Sequence, residues 1–280
     1  MKIEKMMKIE NMMKTEKMMK KGMMMVRGMG VVLMGLMALA ACARNADGDR
    51  QDATVDTTAV ADTARAVDSA VGQETRLKKV SILGDSYSTY TGYIPEKNIA
   101  WYMPVPKEGR PTDVTKVEQT WWKIFIDRNG YELEKNNSYS GSTVCNTGYG
   151  KKDYSDQSFV TRLTDLGDPD MIIIFGGTND AWADSPIGEY VWSDWTPRQL
   201  YSYRPATAYM ISKLQELHPD AEIVFLINDE IKDEVKDSTK EICDHYGVKY
   251  VQLEGIHKMS DHPDQKGMLQ IVDQLEAALK

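Results

Sequence analysis

Four short segments of this 280-residue chain combine residue types that nucleophilic acyl chemistry requires. Ser86 offers a hydroxyl, which becomes a nucleophile when a neighbouring base, usually a histidine, takes its proton. Gly141 lets a backbone amide approach a ligand closely, and Asn179 adds a side-chain amide donor. Such donors stabilise the oxyanion of a tetrahedral acyl intermediate. With His257 and His262 as candidate bases, the set predicts the hydrolysis of an ester or a related acyl group.

Each of these segments follows a predicted β-strand. The predicted strands are residues 80–83, 131–139, 171–175, 222–227 and 248–253, and the helices lie within 117–128, 158–166, 196–217, 229–246 and 266–279. Buried apolar runs that alternate with amphipathic helices indicate a parallel sheet covered on both faces. The predicted fold class is therefore α/β, a three-layer α/β/α sandwich with a five-stranded parallel sheet. Ligands of such sheets bind beyond the carboxyl ends of the strands, which is where these segments lie.

These motifs resemble those of the SGNH hydrolases, the GDSL-type esterase superfamily, over residues 80–279. The matching segments are Gly84-Asp85-Ser86, Gly141, Gly177-Thr178-Asn179-Asp180 and His262-Pro263, in the order of the family's blocks. The resemblance implies a flavodoxin-like fold and a Ser-His hydrolase in which Ser86 and His262 are catalytic. It also implies an oxyanion hole made of the amides of Ser86 and Gly141 and the side chain of Asn179. Each motif is weak alone, but four in the family's order are specific together.

Two histidines compete for the role of base. His262 is followed by Pro263 and leads into the last predicted helix, as in the family's histidine block. His257 has Glu254 three residues before it, which resembles the family's acid-x-x-His spacing, but it lacks the following proline. We therefore favour His262 and keep His257, with Glu254 as its acid, as the alternative.

The acid that would orient His262 departs from the family pattern. The family usually places Asp three residues before the catalytic histidine, and position 259 is Met. Asp261 adjoins His262, and Glu230 follows the fourth predicted strand. The open alternatives are a dyad whose imidazole is oriented by a backbone carbonyl, or a triad completed by an acid such as Asp261 or Glu230.

Long aromatic loops follow the first and third predicted strands, and loops at this edge usually carry function. The predicted substrate-loop residues are Trp101, Tyr102, Trp182 and Trp192. Flat rings with interspersed acids suit sugars better than acyl chains, and no long aliphatic lid is visible. The sequence therefore predicts a serine esterase that removes O-acetyl groups from a polysaccharide or a smaller ester substrate.

The front end of the chain has the character of a targeting segment. Residues 1–41 contain a short Met- and Lys-rich repeat and then an apolar stretch, 29–41, that is too short to span a bilayer. Leu39-Ala40-Ala41-Cys42 resembles a bacterial lipobox, which implies lipid attachment at Cys42. Residues 42–76 contain no aromatic residue and read as a disordered tether to a domain at 77–280. We expect a lipid-anchored protein of the bacterial cell envelope.

Composition and residue spacing weigh against several other functions. The net charge is −8, and residues 1–41 are basic, so the rest of the chain is more acidic still and should repel nucleic acids. No cluster of His, Cys or carboxylate residues has metal-ligand spacing, and no cofactor is expected. A flavin or phosphate binder would leave Asn179 and His262 without a role. A catalytically weak glycan-binding lipoprotein is the main alternative. Cys145 and Cys243 could pair, although the sequence gives no distance between them.

Overall fold

The structure is a computed structural model that describes residues 76–280. The predicted signal segment, Cys42 and nearly all of the predicted tether lie outside the described residues. The main sheet has five parallel strands in the order β2-β1-β3-β4-β5. The strands are β1 (Lys79–Gly84), β2 (Glu132–Asn136), β3 (Met171–Phe175), β4 (Glu222–Ile227) and β5 (Lys249–Gln252). The helices are α1 (Trp121–Asn129), α2 (Phe159–Arg162), α3 (Thr178–Ala183), α4 (Tyr203–Leu217), α5 (Asp233–Tyr246) and α6 (Gln265–Leu279).

Alternating side chains of the central strands enter two separate cores. Ile172 and Ile174 of β3 join a cluster that includes the buried faces of α4 and α5. Ile173 and Phe175 point the other way, into a cluster with α1 and α6. All five residues of β3 are buried, as expected for a central parallel strand covered on both faces. The predicted three-layer α/β/α sandwich is therefore confirmed.

Element boundaries differ from the prediction where side chains compete for backbone groups. The predicted strand 222–227 is confirmed residue for residue. Helix α2, predicted over 158–166, has only one turn, because the side-chain amide of Asn137 donates to the carbonyls of Arg162 and Asp165 at 3.1 and 3.0 Å. Helix α5 begins at Asp233 rather than at 229. The carboxylate of Asp229 accepts the Ile256 amide at 2.9 Å, which holds residue 229 in the loop before the helix.

A second, two-stranded antiparallel sheet was not predicted. It consists of β6 (Lys258–Met259) and β7 (His262–Pro263), between β5 and α6. Each strand has only two residues, which is too short for an alternating pattern to be recognised in the sequence. Within residues 76–280, no helix is both long and apolar enough to cross a bilayer.

Candidate active site

The loop after β1 brings Ser86 to the carboxyl edge of the sheet. Ser86–Ser88 forms a single 3₁₀ turn directly after the strand. Asp85 caps this turn, since one of its carboxylate oxygens accepts the Tyr87 amide at 3.0 Å. Asp85 and Ser86 are both buried. The cap therefore holds the serine hydroxyl in a fixed position at the end of β1.

The hydroxyl of Ser86 contacts the imidazole of His262. The Ser86 Oγ and His262 Nε2 atoms lie 2.9 Å apart, and His262 Nδ1 lies 2.9 Å from the carbonyl oxygen of Ser260. A carbonyl oxygen can only accept a hydrogen bond, so this contact requires the proton of a neutral His262 to be on Nδ1. The lone pair of Nε2 then faces the Ser86 hydroxyl, which is the arrangement that a general base needs.

A tight hairpin presents His262 and the carbonyl of Ser260. Met259 pairs with His262 across the β6–β7 ladder, so Ser260 and Asp261 form a two-residue turn between them. Both turn residues have positive φ, 51° for Ser260 and 62° for Asp261, as a type I′ turn requires. The turn is tied to the first strand's loop, because the Tyr87 hydroxyl donates to the Asp261 carbonyl at 2.5 Å.

Three predicted oxyanion donors lie on the loops that follow β1, β2 and β3. Gly141 has φ +83°, a conformation that favours glycine. In the described part of the chain, neither the Ser86 amide nor the Gly141 amide donates to a protein acceptor. The side chain of Asn179 is buried, and its Oδ1 accepts the Tyr149 hydroxyl at 2.7 Å. Tyr149, which the sequence did not single out, thus fixes which way the Asn179 amide points.

The Asn179 amide group also reaches the cap of the serine turn. Asn179 Nδ2 lies 3.4 Å from Asp85 Oδ2. One N–H of the amide faces this carboxylate, which leaves the second N–H for a ligand oxygen. Burial raises the pKa of Asp85 to about 7, and the backbone hydrogen bond from Tyr87 opposes this shift.

A buried arginine connects the ends of β1 and β2. Arg162 donates to the carbonyl of Gly84 at 3.2 Å and to Ser142 Oγ at 2.9 Å, so it braces the loop that carries Gly141. Burial lowers the pKa of this guanidinium to about 9, and the charge of Asp85 opposes that effect. The sequence offered no signal for Arg162, because an arginine within a predicted helix is normally solvated.

A second buried carboxylate, that of Asp180 in α3, stabilises the loop that carries Gly141. Asp180 accepts the amides of Val144 and Cys145 at 2.7 and 3.1 Å. Burial raises the pKa of Asp180 to about 6, although these hydrogen bonds stabilise its charged form. Asp180 was part of the quoted motif, yet its role is to hold the neighbouring loop rather than to face a ligand.

The structure places the alternative base and its acid away from Ser86. The side chain of His257 is 53% exposed, and its Nδ1 contacts the carboxylate of Asp264, which caps α6. Glu254 is exposed, and its backbone amide donates to the side chain of Gln274. Glu230 is also exposed and pairs with Lys258 at 3.2 Å. None of these three predicted candidates is brought to the serine.

The four predicted substrate-loop aromatics separate into three environments. Trp101 stacks on the His262 ring, with centroids 3.4 Å apart, and Trp182 meets the same ring edge-on at 6.3 Å. Tyr102 is fully buried and donates to the Pro263 carbonyl at 2.7 Å, so it belongs to the core rather than to a substrate surface. Trp192 stacks on His245 in the last turn of α5.

The assignments of Tyr102 and Trp192 to the substrate loops are therefore corrected. Helix α5 runs from the carboxyl edge of the sheet back to the amino edge, where β5 begins. Its last turn, and Trp192 with it, lies at the far end from Ser86. The apolar body of Trp192 covers the partly buried flank of the α4–α5 core.

The described residues contain neither a disulfide nor a cluster of metal-binding side chains. Cys145 and Cys243 are both free and buried, so the pairing that the sequence left open is absent. Among residues 76–280, no three His, Cys, Asp or Glu side chains are grouped so that they could hold a metal ion.

Comparisons with known proteins place the chain in a family. The family model described as GDSL-like Lipase/Acylhydrolase matches residues 78–279. The chain belongs to this family. The family assignment makes this GDSL-like acylhydrolase an ester-hydrolysing enzyme and agrees with the predicted SGNH superfamily. No curated protein matches the chain.

Solved structures include two similar proteins from Bacteroides. A candidate GDSL-like lipase from Bacteroides ovatus is 50% identical, covering 73% of this chain and 98% of its own, with a TM-score of 0.72. One from Bacteroides uniformis is 52% identical, covering 73% and 96%, with a TM-score of 0.71. A carbohydrate esterase whose active site displays catalytic and non-catalytic binding functions is 14% identical over 72% of this chain and 68% of its own. Its TM-score of 0.53 shows a shared fold.

Proposed function

We propose that this GDSL-like acylhydrolase is a serine esterase with Ser86 as nucleophile and His262 as general base. The observation that carries the proposal is the 2.9 Å contact between Ser86 Oγ and His262 Nε2, with Nδ1 directed at the Ser260 carbonyl. This contact joins a nucleophile, a base in the required tautomer and an orienting acceptor. The oxyanion hole consists of the Ser86 and Gly141 amides and Asn179 Nδ2.

The reaction follows from these atoms. As Ser86 Oγ forms a bond to the ester carbonyl carbon, its proton moves to His262 Nε2, and the carbonyl oxygen becomes an oxyanion. The oxyanion collapses, the bond to the leaving oxygen breaks, and Nε2 gives its proton to that oxygen. Water then attacks the acyl-serine and passes a proton to Nε2. Collapse of this second intermediate releases the carboxylic acid, and the proton returns to Ser86 Oγ.

We further propose that the ester is an O-acetyl group on a carbohydrate. The half-buried indole of Trp182 lies beside the His262 ring and offers an apolar surface next to the reacting atoms. A flat aromatic surface at a partly open edge suits a sugar ring. The carbohydrate esterase named above shares the fold and is consistent with this substrate class. Lipid attachment at Cys42 and a place in the cell envelope stay predictions from the sequence.

The test is hydrolysis by the full chain, compared with three variants. Aryl acetate, aryl butyrate and an acetylated polysaccharide serve as substrates. We expect Ser86→Ala and His262→Ala to lower kcat by about a thousandfold or more. His245→Ala is the matched control, because His245 stacks on Trp192 as His262 stacks on Trp101, and we expect kcat within about twofold of wild type.

Each outcome of this test has a separate meaning. Retained activity in Ser86→Ala would overturn the serine mechanism. A clear preference for butyrate over both acetyl substrates would overturn the O-acetyl assignment alone. A wild-type chain that is inert and also fails to react with a fluorophosphonate would favour a glycan-binding role, for which the Met at position 259 is the sequence argument.

A further inference from the structure

The indole of Trp101 covers one face of the proposed catalytic base. The two rings are nearly parallel, with an interplanar angle of 5° and centroids 3.4 Å apart. Two further rings meet the His262 ring edge-on, with the Tyr87 centroid at 5.2 Å and the Trp182 centroid at 6.3 Å. Only Trp101 therefore presents a π face to the imidazole among these three rings.

The backbone of Trp101 is linked to the nucleophile itself. The Trp101 amide donates to Thr89 Oγ1 at 2.8 Å, and the same hydroxyl donates to the Ser86 carbonyl at 3.0 Å. Thr89 is fully buried, so this link is shielded from water. The distance between the indole and the Ser86 turn is thus set by two short hydrogen bonds.

The second face of the indole is also occupied. The guanidinium carbon of Arg110 lies over the ring, 5.1 Å from its centroid. Because the imidazole fills the space 3.4 Å from one face, Arg110 lies over the other. The indole Nε1 is buried and has no hydrogen-bond acceptor among residues 76–280. Face contacts rather than a hydrogen bond therefore orient the ring, and neither face is open to a sugar.

We propose that Trp101 is a positioning residue that stabilises the imidazolium form of His262 during the reaction. This inference rests on the proposed Ser86–His262 mechanism. His262 is neutral before attack and gains a positive charge when it takes the Ser86 proton. The face of an indole carries negative potential, so it attracts a cation stacked on it, most strongly in a desolvated site. The interaction therefore strengthens as the transition state forms, which is the condition for lowering a barrier.

Other charges around His262 act in both directions. Asp261 precedes it in the chain, and the buried Asp85 lies beside Ser86; each carboxylate favours the imidazolium when it is ionised. Arg110, on the far side of the indole, disfavours it. A variant that changes the shape of residue 101 could disturb these groups too, so the test must weaken the π face while it preserves the shape of the ring.

Stepwise fluorination of the indole meets this requirement. Mono-, di- and trifluorotryptophan are incorporated at position 101 in the full chain, and separately at position 192 as a control. Fluorine withdraws electron density from the face with little change in size. We expect kcat for aryl acetate to fall progressively, by roughly tenfold for the most fluorinated ring, with KM within about twofold. The acid limb of the pH profile of kcat/KM should move to lower pH, because the imidazolium is less stabilised.

The control region should respond differently. Fluorination at Trp192 weakens the same kind of stack on His245, 4.0 Å away, and should leave kcat and the pH profile unchanged. A kcat that does not depend on fluorination at position 101, or an equal response at position 192, would overturn the inference. A rise in KM without a fall in kcat would make Trp101 a substrate contact instead.

Different variants test the Ser86–His262 mechanism and the role of Trp101. If Ser86→Ala keeps its activity, the serine mechanism fails whatever fluorination does. If Ser86→Ala and His262→Ala are inactive while Trp101→Leu keeps the wild-type kcat and pH profile, the mechanism stands and the role of Trp101 is wrong. We expect Trp101→Leu to lose roughly tenfold to a hundredfold in kcat, since it removes both the π face and the packing on His262.

Discussion

Two regions of this acylhydrolase contain the same stack of a histidine on a tryptophan. At the carboxyl edge of the sheet, His262 stacks on Trp101, with Arg110 over the indole. Near the amino edge, His245 stacks on Trp192, which also stacks with Tyr190 at 5.2 Å. Arginine completes this second stack too, since Arg204 lies over the Tyr190 ring. Stacking alone therefore does not distinguish a catalytic histidine from a structural one.

The difference lies in what surrounds each imidazole. His262 is only 7% exposed, and its two nitrogens contact the Ser86 hydroxyl and the Ser260 carbonyl. His245 is exposed in the last turn of α5. The first ring has a defined tautomer and a proton donor, whereas the second is exposed to solvent. Burial and the partners of the ring nitrogens, rather than ring stacking, therefore distinguish the proposed base from the structural histidine.

The largest expected difference between the two regions is in how they make the free energy of unfolding depend on pH. In the first region, burial raises the pKa of Asp85, next to Ser86, to about 7 and that of Asp180, next to Asn179, to about 6. An unfolded carboxyl titrates near pH 4, so between about pH 4 and 7 the folded chain binds more protons than the unfolded chain. Stability that is present at low pH is therefore lost as the pH rises through this window. We expect the free energy of unfolding to be about 3 kcal/mol higher at pH 5.5 than at pH 8.

Urea titration at the two pH values measures this difference. Asp85→Asn removes one of the two titrating carboxyl groups and should reduce the difference in the free energy of unfolding between the two pH values. Asp244→Asn is the matched control, because Asp244 is exposed beside His245, and it should leave this difference in place. A wild-type chain that is more stable at pH 8 than at pH 5.5 would contradict the expected direction.

A smaller effect comes from two tyrosines with equivalent hydrogen bonds. Tyr87 donates to the Asp261 carbonyl in the turn before His262, and Tyr246 donates to the Trp192 carbonyl at 2.7 Å. We expect Tyr87→Phe to lower kcat by about tenfold, because the turn that orients His262 loses its anchor. Tyr246→Phe should lower the free energy of unfolding by about 1 kcal/mol and leave kcat within twofold.

Steady-state kinetics and urea unfolding of both variants distinguish anchoring from general stability. If the two variants lose the same stability and neither changes kcat, the Tyr87 contact holds the fold but does not order the base. If Tyr246→Phe lowers kcat as much as Tyr87→Phe does, the second region is coupled to the site and is not purely structural.

Most elements of the fold could be predicted from the sequence, because the spacing of apolar residues indicates the helices and strands and the ends of the strands mark the candidate site. The β3 run is apolar on both faces, and the residues after β1 and β3 include Ser86 and Asn179. The order of the motifs identified the family that the comparison then showed. What periodicity could not reveal was which aromatic residues face the site. Trp101 and Trp192 both lie in long aromatic loops of the sequence. The direction of α5 in the structure shows that Trp192 lies far from Ser86, whereas Trp101 stacks on His262.

The supports of the site were also hidden, for a physical reason. Arg162 and Tyr149 act through contacts across 20 residues or more, and no local pattern marks such partners. The β6–β7 hairpin was missed because neither turn residue is the glycine that usually marks positive φ. For the group that orients His262, the sequence left both a backbone carbonyl and an acidic side chain open, and the structure places the Ser260 carbonyl 2.9 Å from Nδ1.

The smallest effect tests that carbonyl directly. Ser260 and Asp261 both adopt positive φ, which costs non-glycine residues roughly 1 kcal/mol each. Asn-Gly is the preferred pair for a type I′ turn, so Ser260→Asn with Asp261→Gly should raise the free energy of unfolding by about 0.5 kcal/mol. The backbone carbonyl at position 260 remains in the double variant. We therefore expect kcat within about threefold of wild type, measured with aryl acetate.

Asp261→Asn alone is the control for the lost carboxylate, because it keeps the side-chain size and tolerates positive φ. Suppose that both variants lose tenfold or more in kcat and that the acid limb of the pH profile moves to lower pH. The Asp261 side chain, rather than the Ser260 carbonyl, would then stabilise the imidazolium, and the site would be a triad. Unchanged kinetics in both variants would leave the carbonyl as the orienting group, since it is the acceptor 2.9 Å from His262 Nδ1.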